Sequence, residues 1–302
     1  MTTIDGSQGW RVSVAKPSGA AERASHRKVF VLQSCSIFGG YMSEAGRIDL
    51  QQHDTVAWIT VDNAAKRNAM SLRMWKQLNE LLGRVRDDTR CIVVRGAGDK
   101  AFVSGADISE FAEHRRSPED VTAYDEAADA AMARLHAMPQ PTVALIGGYC
   151  LGGGVALALS CDVRLAADTS QFAVPAARLG LGYGAPGLKK LLEVVSVPVA
   201  MDIMISARRY TAQEALSIGL VNRVYAADAL AGEVTAYAAS IVRNAPLTIR
   251  AAKRTIRELS KVNPAADLAL CRELAARCFA SDDYLEGARA FMEKREPRFA
   301  GL

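Results

Sequence analysis

The hydrophobic pattern is most pronounced over residues 142–160, where an apolar segment, a glycine-rich segment and a second apolar segment follow one another. Residues 142–146 are short, partly β-branched and preceded by two prolines, so they predict a buried strand. Residues 155–159 are too apolar for a surface helix and predict a buried one. A strand, a glycine turn and a helix leave backbone N–H groups at the helix start, and these can hold a negative charge.

The spacing of the glycines narrows what this unit can bind. It contains no GxGxxG, and no lysine follows the glycines as in a P-loop, so a dinucleotide or nucleoside triphosphate site is disfavoured. Two interpretations stay open from these residues alone. The glycines either allow a helix to pack tightly on a strand, or they form an oxyanion site built from backbone amides.

Strand and helix patterns alternate on both sides of this unit. Residues 56–61 and 91–94 predict strands, and between them Ser71 predicts the N-cap of a helix that runs to about Arg86. Ser117 and the following proline and acidic residues predict a helix that ends near residue 138. Short strands are predicted at 102–104, 163–166 and 172–174. Alternation of this kind favours an α/β fold with partly parallel strand pairing.

Three regions are predicted along the chain. Residues 1–45 are Ser/Gly/Ala-rich without a sustained period, and they predict a disordered leader, of which residues 1–41 are expected to be dispensable. Residues 46–197 predict the α/β core, and residues 198–302 a mainly helical region. That region has a capping box from Thr211, a stop at Gly219 and one short strand over 220–225. Its other helices are predicted near 229–243, 247–260, 264–278 and 282–295.

Composition excludes several classes of protein. Half of the 302 residues are apolar, which suffices for a sizeable core, and a net charge of +4 without basic clusters does not imply nucleic-acid binding. The six cysteines form no CxxC pair and no zinc-type spacing, which favours a reducing cytoplasm. No apolar run is long enough to span a membrane. Cys150, within the glycine turn, is an alternative candidate as a nucleophile.

Six motifs in order carry a family resemblance. The two longer ones are AFVSGADISEF (101–111) and GGYCLGGGVALALSCDVRLAA (147–167). The four shorter ones are AAKRNAMS (64–71), FAVPAARLGLG (172–182), YTAQEALSIGLVNRV (210–224) and FMEKREPRF (291–299). Together they resemble the crotonase superfamily, whose best-known members are the enoyl-CoA hydratases and isomerases. The resemblance covers nearly everything from residue 50 to the end.

The resemblance implies a fold, a substrate class and an assembly. The fold is a spiral of ββα units with a C-terminal helical trimerisation region, and members form trimers or pairs of trimers. The substrate is an acyl thioester of coenzyme A, with no metal and no cofactor apart from the coenzyme A of the substrate. No nucleic acid or membrane is implied as a partner.

The resemblance also assigns roles to particular residues. The backbone N–H groups of Ala106 and Gly153 correspond to the family's oxyanion hole. The predicted contacts to coenzyme A or substrate are Lys66, Arg67, Asn68, Ala69, Ser104, Gly105, Asp107, Ile108, Ser109 and Gly152, with Phe291 and Lys294 completing the site of the same or a neighbouring subunit.

The chain departs from the family at the acid–base positions. The two glutamates with which the hydratases activate water correspond to Ala156 and Ala176, and the acid of some isomerases corresponds to a position near Gly184. Methyl groups cannot transfer protons, and general acid–base catalysis contributes about 10²–10⁴-fold. Tyr183 lies beside the third position and corresponds to a tyrosine of the family's decarboxylases. It is either a proton donor near the α-carbon or a wall of the acyl pocket.

Three functions therefore remain open. The first is a catalyst on acyl-CoA of hydratase or isomerase descent. The second is decarboxylation or another enolate reaction that needs the oxyanion hole but no glutamate pair. The third is a non-catalytic acyl-CoA-binding protein. Because Ala156 and Ala176 weaken only the first, turnover on a panel of coenzyme A thioesters separates the three.

Overall fold

A computed structural model describes residues 46–107, 118–179, 181–261 and 267–302. The strands are β1 (Arg47–His53), β2 (Val56–Asp62), β3 (Cys91–Gly96), β4 (Ala101–Val103), β5 (Thr142–Ile146), β6 (Tyr149–Leu151), β7 (Val163–Ala167), β8 (Gln171–Ala173), β9 (Tyr210–Thr211) and β10 (Arg223–Tyr225). The helices are α1 (Leu72–Leu82), α2 (Pro118–Ala137), α3 (Gly153–Leu159), α4 (Ala176–Leu179), α5 (Ala185–Leu192), α6 (Val197–Ser206), α7 (Ala212–Ser217), α8 (Leu230–Val242), α9 (Pro246–Leu259), α10 (Leu268–Phe279) and α11 (Asp282–Glu293). The predicted leader and the predicted N-cap Ser117 lie outside the described residues.

The strands form two sheets. The larger has the order β1-β2-β3-β5-β7-β10, and all its pairs are parallel except β1 with β2. The smaller has the order β4-β6-β8-β9, with only β8 and β9 antiparallel. The predicted parallel pairing is thus confirmed. Parallel neighbours need crossover connections, which the helices supply.

Local signals placed most helix starts correctly. The Ser71 side chain accepts a hydrogen bond from the Met74 N–H, and Thr211 and Glu214 form the predicted capping box. The prediction that α1 reaches Arg86 was wrong, since the helix ends at Leu82 and Gly83 caps it. Helix α3 is buried over residues 154–159, as its apolar sequence predicts.

The segment predicted as a plain glycine turn contains strand β6. At Gly148 the chain has φ +62, and an added Cβ would lie 2.1 Å from the carbonyl oxygen of Lys100. Glycine therefore lets the chain pass directly against the start of β4 and pair with it at once. Three residues are too few for a period to identify a strand, so the pattern could not separate β6 from the turn.

The described region after residue 198 contains two short strands, of which β10 falls within the strand predicted over 220–225 and β9 was not predicted. Strand β9 completes the smaller sheet, and β10 completes the larger one beside β7. Helix α5 was not predicted, because its start is rich in glycine and proline. The C-terminal region is consequently joined to both sheets through backbone hydrogen bonds.

A buried ion cluster holds helix α9 against the starts of β5 and β7. The Asp162 carboxylate accepts from Lys253 Nζ at 2.5 Å, from Arg257 at 2.8 Å and from the Thr142 backbone N–H at 2.8 Å. Lys253 also donates to the carbonyl of Gln140. Because Asp162 is bonded by both cations and by the backbone, removing its charge would leave two partly buried cations unpaired.

His136 gives this cluster a pH dependence. Burial, together with the positive charges of Lys190 and Arg257, lowers the pKa of His136 from 6.5 to about 4, whereas Asp162 acts in the opposite direction. The unfolded chain therefore binds an extra proton between pH 4 and 6.5, so stability is complete above pH 6.5 and falls as the pH drops through this window. We expect the free energy of unfolding to lose about 1–2 kcal/mol from this group, less than the full pKa shift implies, because the imidazole is partly exposed and screened by solvent. Urea titrations at pH 7 and pH 4.5 measure it.

His136→Gln is the matched variant for this prediction. The difference in the free energy of unfolding between pH 7 and pH 4.5 should be smaller for this variant than for the unchanged chain, because the glutamine side chain does not titrate. Equal differences in the two proteins would contradict the assignment to His136.

Candidate active site

The basic loop before α1 is held by a buried amide. Asn68 is 1% exposed, and its Oδ1 accepts from the backbone N–H of Asn63. Its Nδ2 donates to the carbonyls of Ala97 and Ala101 at 2.9 and 2.7 Å. Arg67 and Asn68 both have positive φ. The hydrogen bonds that Asn68 makes with the described residues fix the loop to Asn63, Ala97 and Ala101, so its side chain is used within the protein.

This loop runs beside the segment that follows β4. The Ser104 N–H donates to the carbonyl of Arg67, the Met70 N–H to that of Gly105 at 2.8 Å, and the Asp107 N–H to that of Met70 at 2.9 Å. Ala106 therefore forms a parallel bridge with Met70. Within the described ranges, the Ala106 N–H itself has no acceptor.

The glycines after β6 bring a second N–H group to this region. Gly152, with φ +51, donates to the carbonyl of Ala173, and Gly153 begins helix α3. First-turn N–H groups have no partner within a helix, and that of Gly153 finds none elsewhere in the described part of the chain. At Gly154 an added Cβ would lie 2.1 Å from the Val103 carbonyl oxygen, so glycine allows α3 to start directly on β4.

The two segments are in contact. A Cβ built on Gly105 would lie 3.5 Å from the carbonyl oxygen of Leu151, and one built on Gly152 would lie 4.0 Å from the Cα of Gly105. Ala106 and Gly153 each follow directly after these contacting residues. The arrangement thus provides two N–H groups on adjoining loops, one of them at a helix start, that have no acceptor among the described residues.

Behind the two loops lies a hydrogen-bond chain that sequence reasoning missed. Trp75 Nε1 donates to the Tyr124 hydroxyl at 2.9 Å, and that hydroxyl donates to the carbonyl of Met70 at 3.0 Å. A Cβ on Gly153 would lie 3.7 Å from Trp75 Cζ2. Trp75 lies on the buried face of α1, and nothing in the sequence pairs it with a tyrosine on α2.

The residues predicted to contact the ligand differ in their exposure to solvent. Lys66 Nζ pairs with the buried Asp107 carboxylate at 2.7 Å, and its own side chain is 44% exposed. Arg67 is also exposed, and the Ser104 hydroxyl donates to the Lys66 carbonyl. Ala69 is buried and, like Asn68, can offer a ligand only backbone atoms. The exposed surface of the loop therefore consists of two cationic side chains.

The remaining predicted residues lie apart or outside the described structure. Lys294 follows α11, is exposed and forms no hydrogen bond with the residues above in the described structure. Ile108, Ser109 and the Phe291 side chain lie outside the described residues. Among the residues described, no group of three or more His, Cys, Asp or Glu side chains could hold a metal ion. No described helix is both long and apolar enough to cross a bilayer.

The two positions that the resemblance aligns with the hydratase glutamates are buried and apolar. Ala156 lies in α3 and is 5% exposed, whereas Ala176 starts α4 and is 7% exposed. Cys150 is fully buried, and its burial raises the pKa of the thiol far above neutrality, which does not suit a nucleophile.

Tyr183 is the polar side chain that lies next to Gly184, the third acid position of the sequence analysis. It packs on the core and lies against Gly187 of α5. Burial, then the nearby Cys150 and Asp129, raises the pKa of Tyr183 to about 12. The phenol is therefore protonated at neutral pH and can donate a hydrogen bond but cannot act as a base.

Comparison with known proteins agrees with this architecture. The family model described as enoyl-CoA hydratase/isomerase matches residues 51–301. The short-chain enoyl-CoA hydratase of Clostridium acetobutylicum is 31% identical over 84% of this chain and 97% of its own length. The 2,3-dehydroadipyl-CoA hydratase of Escherichia coli is 34% identical over 83% of this chain and 98% of its own length. An enoyl-CoA hydratase/carnithine racemase crystal structure from Magnetospirillum magneticum superposes with a TM-score of 0.80 at 36% identity, covering 84% of this chain and 96% of that one.

The chain belongs to the enoyl-CoA hydratase/isomerase family, within the crotonase superfamily. The family match covers both sheets and the helices that follow them. The match establishes that the chain belongs to an enzyme family that acts on acyl-CoA. The particular reaction has to be inferred from the residues at the site.

Proposed function

We propose that this chain is an acyl-CoA-processing enzyme in which the N–H groups of Ala106 and Gly153 stabilise the enolate of a thioester. The observation that carries the proposal is a pair of N–H groups on two contacting loops, neither of which has an acceptor in the described part of the chain. A thioester carbonyl gains negative charge as it becomes an enolate. Two fixed donors, one at the positive end of a helix, hold that charge without reorganising.

The other residues of the site can bind the ligand, but few of them can transfer a proton. The exposed cations of Lys66 and Arg67 suit the phosphates of coenzyme A. Ala156 and Ala176 cannot activate water, so hydration as the glutamate-bearing relatives are expected to perform it lacks both of its acid–base groups. This combination favours a reaction that requires the enolate but not an activated water.

Tyr183 favours a second candidate within the same class. Because its phenol stays protonated, it can deliver a proton to the α-carbon of an enolate, or hold a carboxylate through a hydrogen bond. Decarboxylation of an acyl-CoA forms such an enolate with loss of CO₂ and then consumes one proton. A non-catalytic acyl-CoA-binding role would keep the two N–H groups and the cationic loop but would make Tyr183 only a wall of the pocket.

The assembly proposed from the family is a trimer or a pair of trimers. The C-terminal helices expose several large apolar side chains in the described part of the chain: Leu259, Leu268, Phe279, Tyr284, Leu285 and Met292. A cavity of ≈590 Å³ with mostly small apolar side chains lies between α9, α10 and α11. Both features suit cover by a second copy. The free thiols of Cys91, Cys150 and Cys161 suit a cytoplasmic location.

Binding of the thioester is the first test of the proposed function. Calorimetry should show saturable binding of butyryl-CoA and none of free butyrate at the same concentration, because the carbonyl donors and the cationic loop both require the thioester of coenzyme A. Absence of butyryl-CoA binding at millimolar ligand would refute the assignment. Turnover of a panel of enoyl-, β-keto- and malonyl-type thioesters then separates the enzyme candidates from the binding protein.

A further inference from the structure

A single residue, Met70, holds the backbone on both sides of Ala106. Its N–H donates to the carbonyl of Gly105 at 2.8 Å, and its carbonyl accepts from the Asp107 N–H at 2.9 Å. Both peptide units that meet at Ala106 are therefore bonded to Met70. In a trans peptide the C=O and N–H bonds point in opposite directions, so the hydrogen bond to Gly105 directs the Ala106 N–H away from Met70.

These two hydrogen bonds oppose the freedom of the preceding glycine. Gly105 has φ +113, a conformation that is open mainly to glycine, and glycine by itself restrains the direction of the next N–H group very little. Met70 is fully buried, and Gly105 and Asp107 are buried, whereas Ala106 is partly exposed. The accessible N–H group is thus held from its buried side, and its direction depends on how firmly Met70 is itself fixed.

Met70 is fixed by the hydroxyl of Tyr124 on α2. That hydroxyl donates to the Met70 carbonyl at 3.0 Å, and together with the Asp107 N–H it uses both lone pairs of this oxygen. The hydroxyl accepts in turn from Trp75 Nε1 at 2.9 Å. Because the indole N–H can only donate, the phenol proton is left to point toward Met70.

The same indole lies close to the second donor loop. Trp75 is 1% exposed, and an added Cβ on Gly153 would lie 3.7 Å from its Cζ2 atom. One edge of the ring therefore lies near Gly153, while the N–H on the ring supports Ala106 through the hydrogen bonds described above. Helix α1, which carries Trp75, is consequently connected to both proposed donors.

We propose that Tyr124, oriented by Trp75, is a positioning residue that directs the Ala106 N–H toward the thioester oxygen. Preorganised donors are effective because they do not have to reorient as charge develops, so a residue that acts through Met70 affects the reaction. This role rests on the proposed function, in which Ala106 donates to the thioester. The support that Tyr124 gives to Met70 stands on the hydrogen bonds themselves.

Tyr124→Phe tests this role because it removes the hydroxyl and keeps the ring. The first readout is the carbonyl stretching frequency of bound butyryl-CoA that carries ¹³C at the thioester carbon, measured by infrared difference spectroscopy at saturation. Hydrogen bonds to the oxygen lower this frequency, and Tyr124→Phe should lose part of that decrease. With the best thioester of the panel, kcat should fall about tenfold while KM changes little, since the contacts to coenzyme A are retained.

Tyr210→Phe is the matched control. Tyr210 is 2% exposed, and its hydroxyl donates to the carboxylate of Asp202, so this variant also loses a hydrogen bond from a buried tyrosine. Strand β9 and helix α6 carry these two residues, outside both donor loops. Tyr210→Phe should lower the free energy of unfolding in urea without changing the carbonyl frequency or kcat. Equal changes of frequency in the two variants would indicate a general loosening of the fold and would overturn the role of Tyr124.

A second readout needs no ligand. Labelling glycine carbonyls with ¹³C and alanine nitrogens with ¹⁵N restricts the NMR spectrum to Gly–Ala peptides, and the signal of the Gly105–Ala106 peptide is assigned by its loss in Ala106→Ser. This signal should move in Tyr124→Phe, because the Ala106 N–H belongs to the peptide that Met70 holds, and it should stay in place in Tyr210→Phe.

The remaining outcomes separate this inference from the proposed function. If butyryl-CoA binds and its carbonyl frequency is the same in Tyr124→Phe and in the unchanged chain, only the positioning role is overturned. If the unchanged chain does not bind butyryl-CoA, the proposed function fails and the amide signal decides the rest. A signal that moves in Tyr124→Phe would then support the hold of Tyr124 on this peptide, and a signal that stays in place would overturn it.

Discussion

Hydration of crotonyl-CoA should be slow or undetectable with the unchanged chain, and Ala156→Glu combined with Ala176→Glu should raise it by about 10²-fold or more. Hydration requires a base for the water and an acid for the α-carbon, and two methyl groups supply neither. The donors at Ala106 and Gly153 remain in the variant, so the restored carboxylates would act on a carbonyl that is already polarised. The measurement is the loss of enoyl-thioester absorbance at saturating substrate.

The matched control for this variant is Ala156→Gln with Ala176→Gln. Both alanines are more than nine-tenths buried, so the longer side chains cost stability in either pair of variants, and the carboxylates cost more. Only the glutamates can transfer protons, so a rate difference between the two double variants reports the chemistry apart from the packing. Each single glutamate should give less than half of the gain on a logarithmic scale, because acid and base act as a unit.

One result would contradict this reasoning directly. Turnover of crotonyl-CoA by the unchanged chain at ordinary enzyme rates, about 1–10³ s⁻¹, would mean that another group performs the work of the glutamates. Tyr183→Phe then becomes the next variant, since Tyr183 is a largely buried polar side chain next to Gly184, the third acid position of the sequence analysis.

Gly153→Pro is expected to lower kcat on the best thioester of the panel by about 10²–10³-fold while the fold persists. Gly153 is the first residue of α3, and proline is well tolerated at that position because its missing N–H has no partner within the helix. The substitution therefore removes one of the two proposed donors with little cost to the helix. Steady-state kinetics measure the loss, and circular dichroism with urea unfolding confirms the fold.

Gly153→Ala distinguishes the effect of losing the N–H donor from the effect of adding a side chain. An added Cβ would lie 3.7 Å from Trp75 Cζ2, an ordinary contact, and the N–H is retained. Alanine should therefore keep much more activity than proline. Equal loss in both variants would point to crowding of the site, and no loss in either would remove Gly153 from the proposed mechanism.

Much of the fold was accessible from local patterns. The alternation of strands and helices, the Ser71 and Thr211 caps and the burial of α3 each depend on residues within one or two turns of each other. Predictions failed at β6 and α5, which are short or rich in glycine and proline, and at the end of α1, which Gly83 caps earlier than predicted. The glycines were identified as a place where the chain can pack closely. That β4 is the strand that packs there was not identified from the sequence.

By itself the sequence determined which segments form the unit around Gly153 and that alanine stands at residues 156 and 176, the two positions that the family resemblance aligns with the hydratase glutamates. Tertiary structure alone decided what surrounds that unit: the bridge from Met70 to Ala106 and the Trp75–Tyr124 chain behind it. Caps and hydrophobic periods depend on residues that are close together in the chain, so they can be identified from the sequence. The site is made by strands that pair in parallel through long crossovers, and such pairing brings together residues whose separation along the chain carries no local signal.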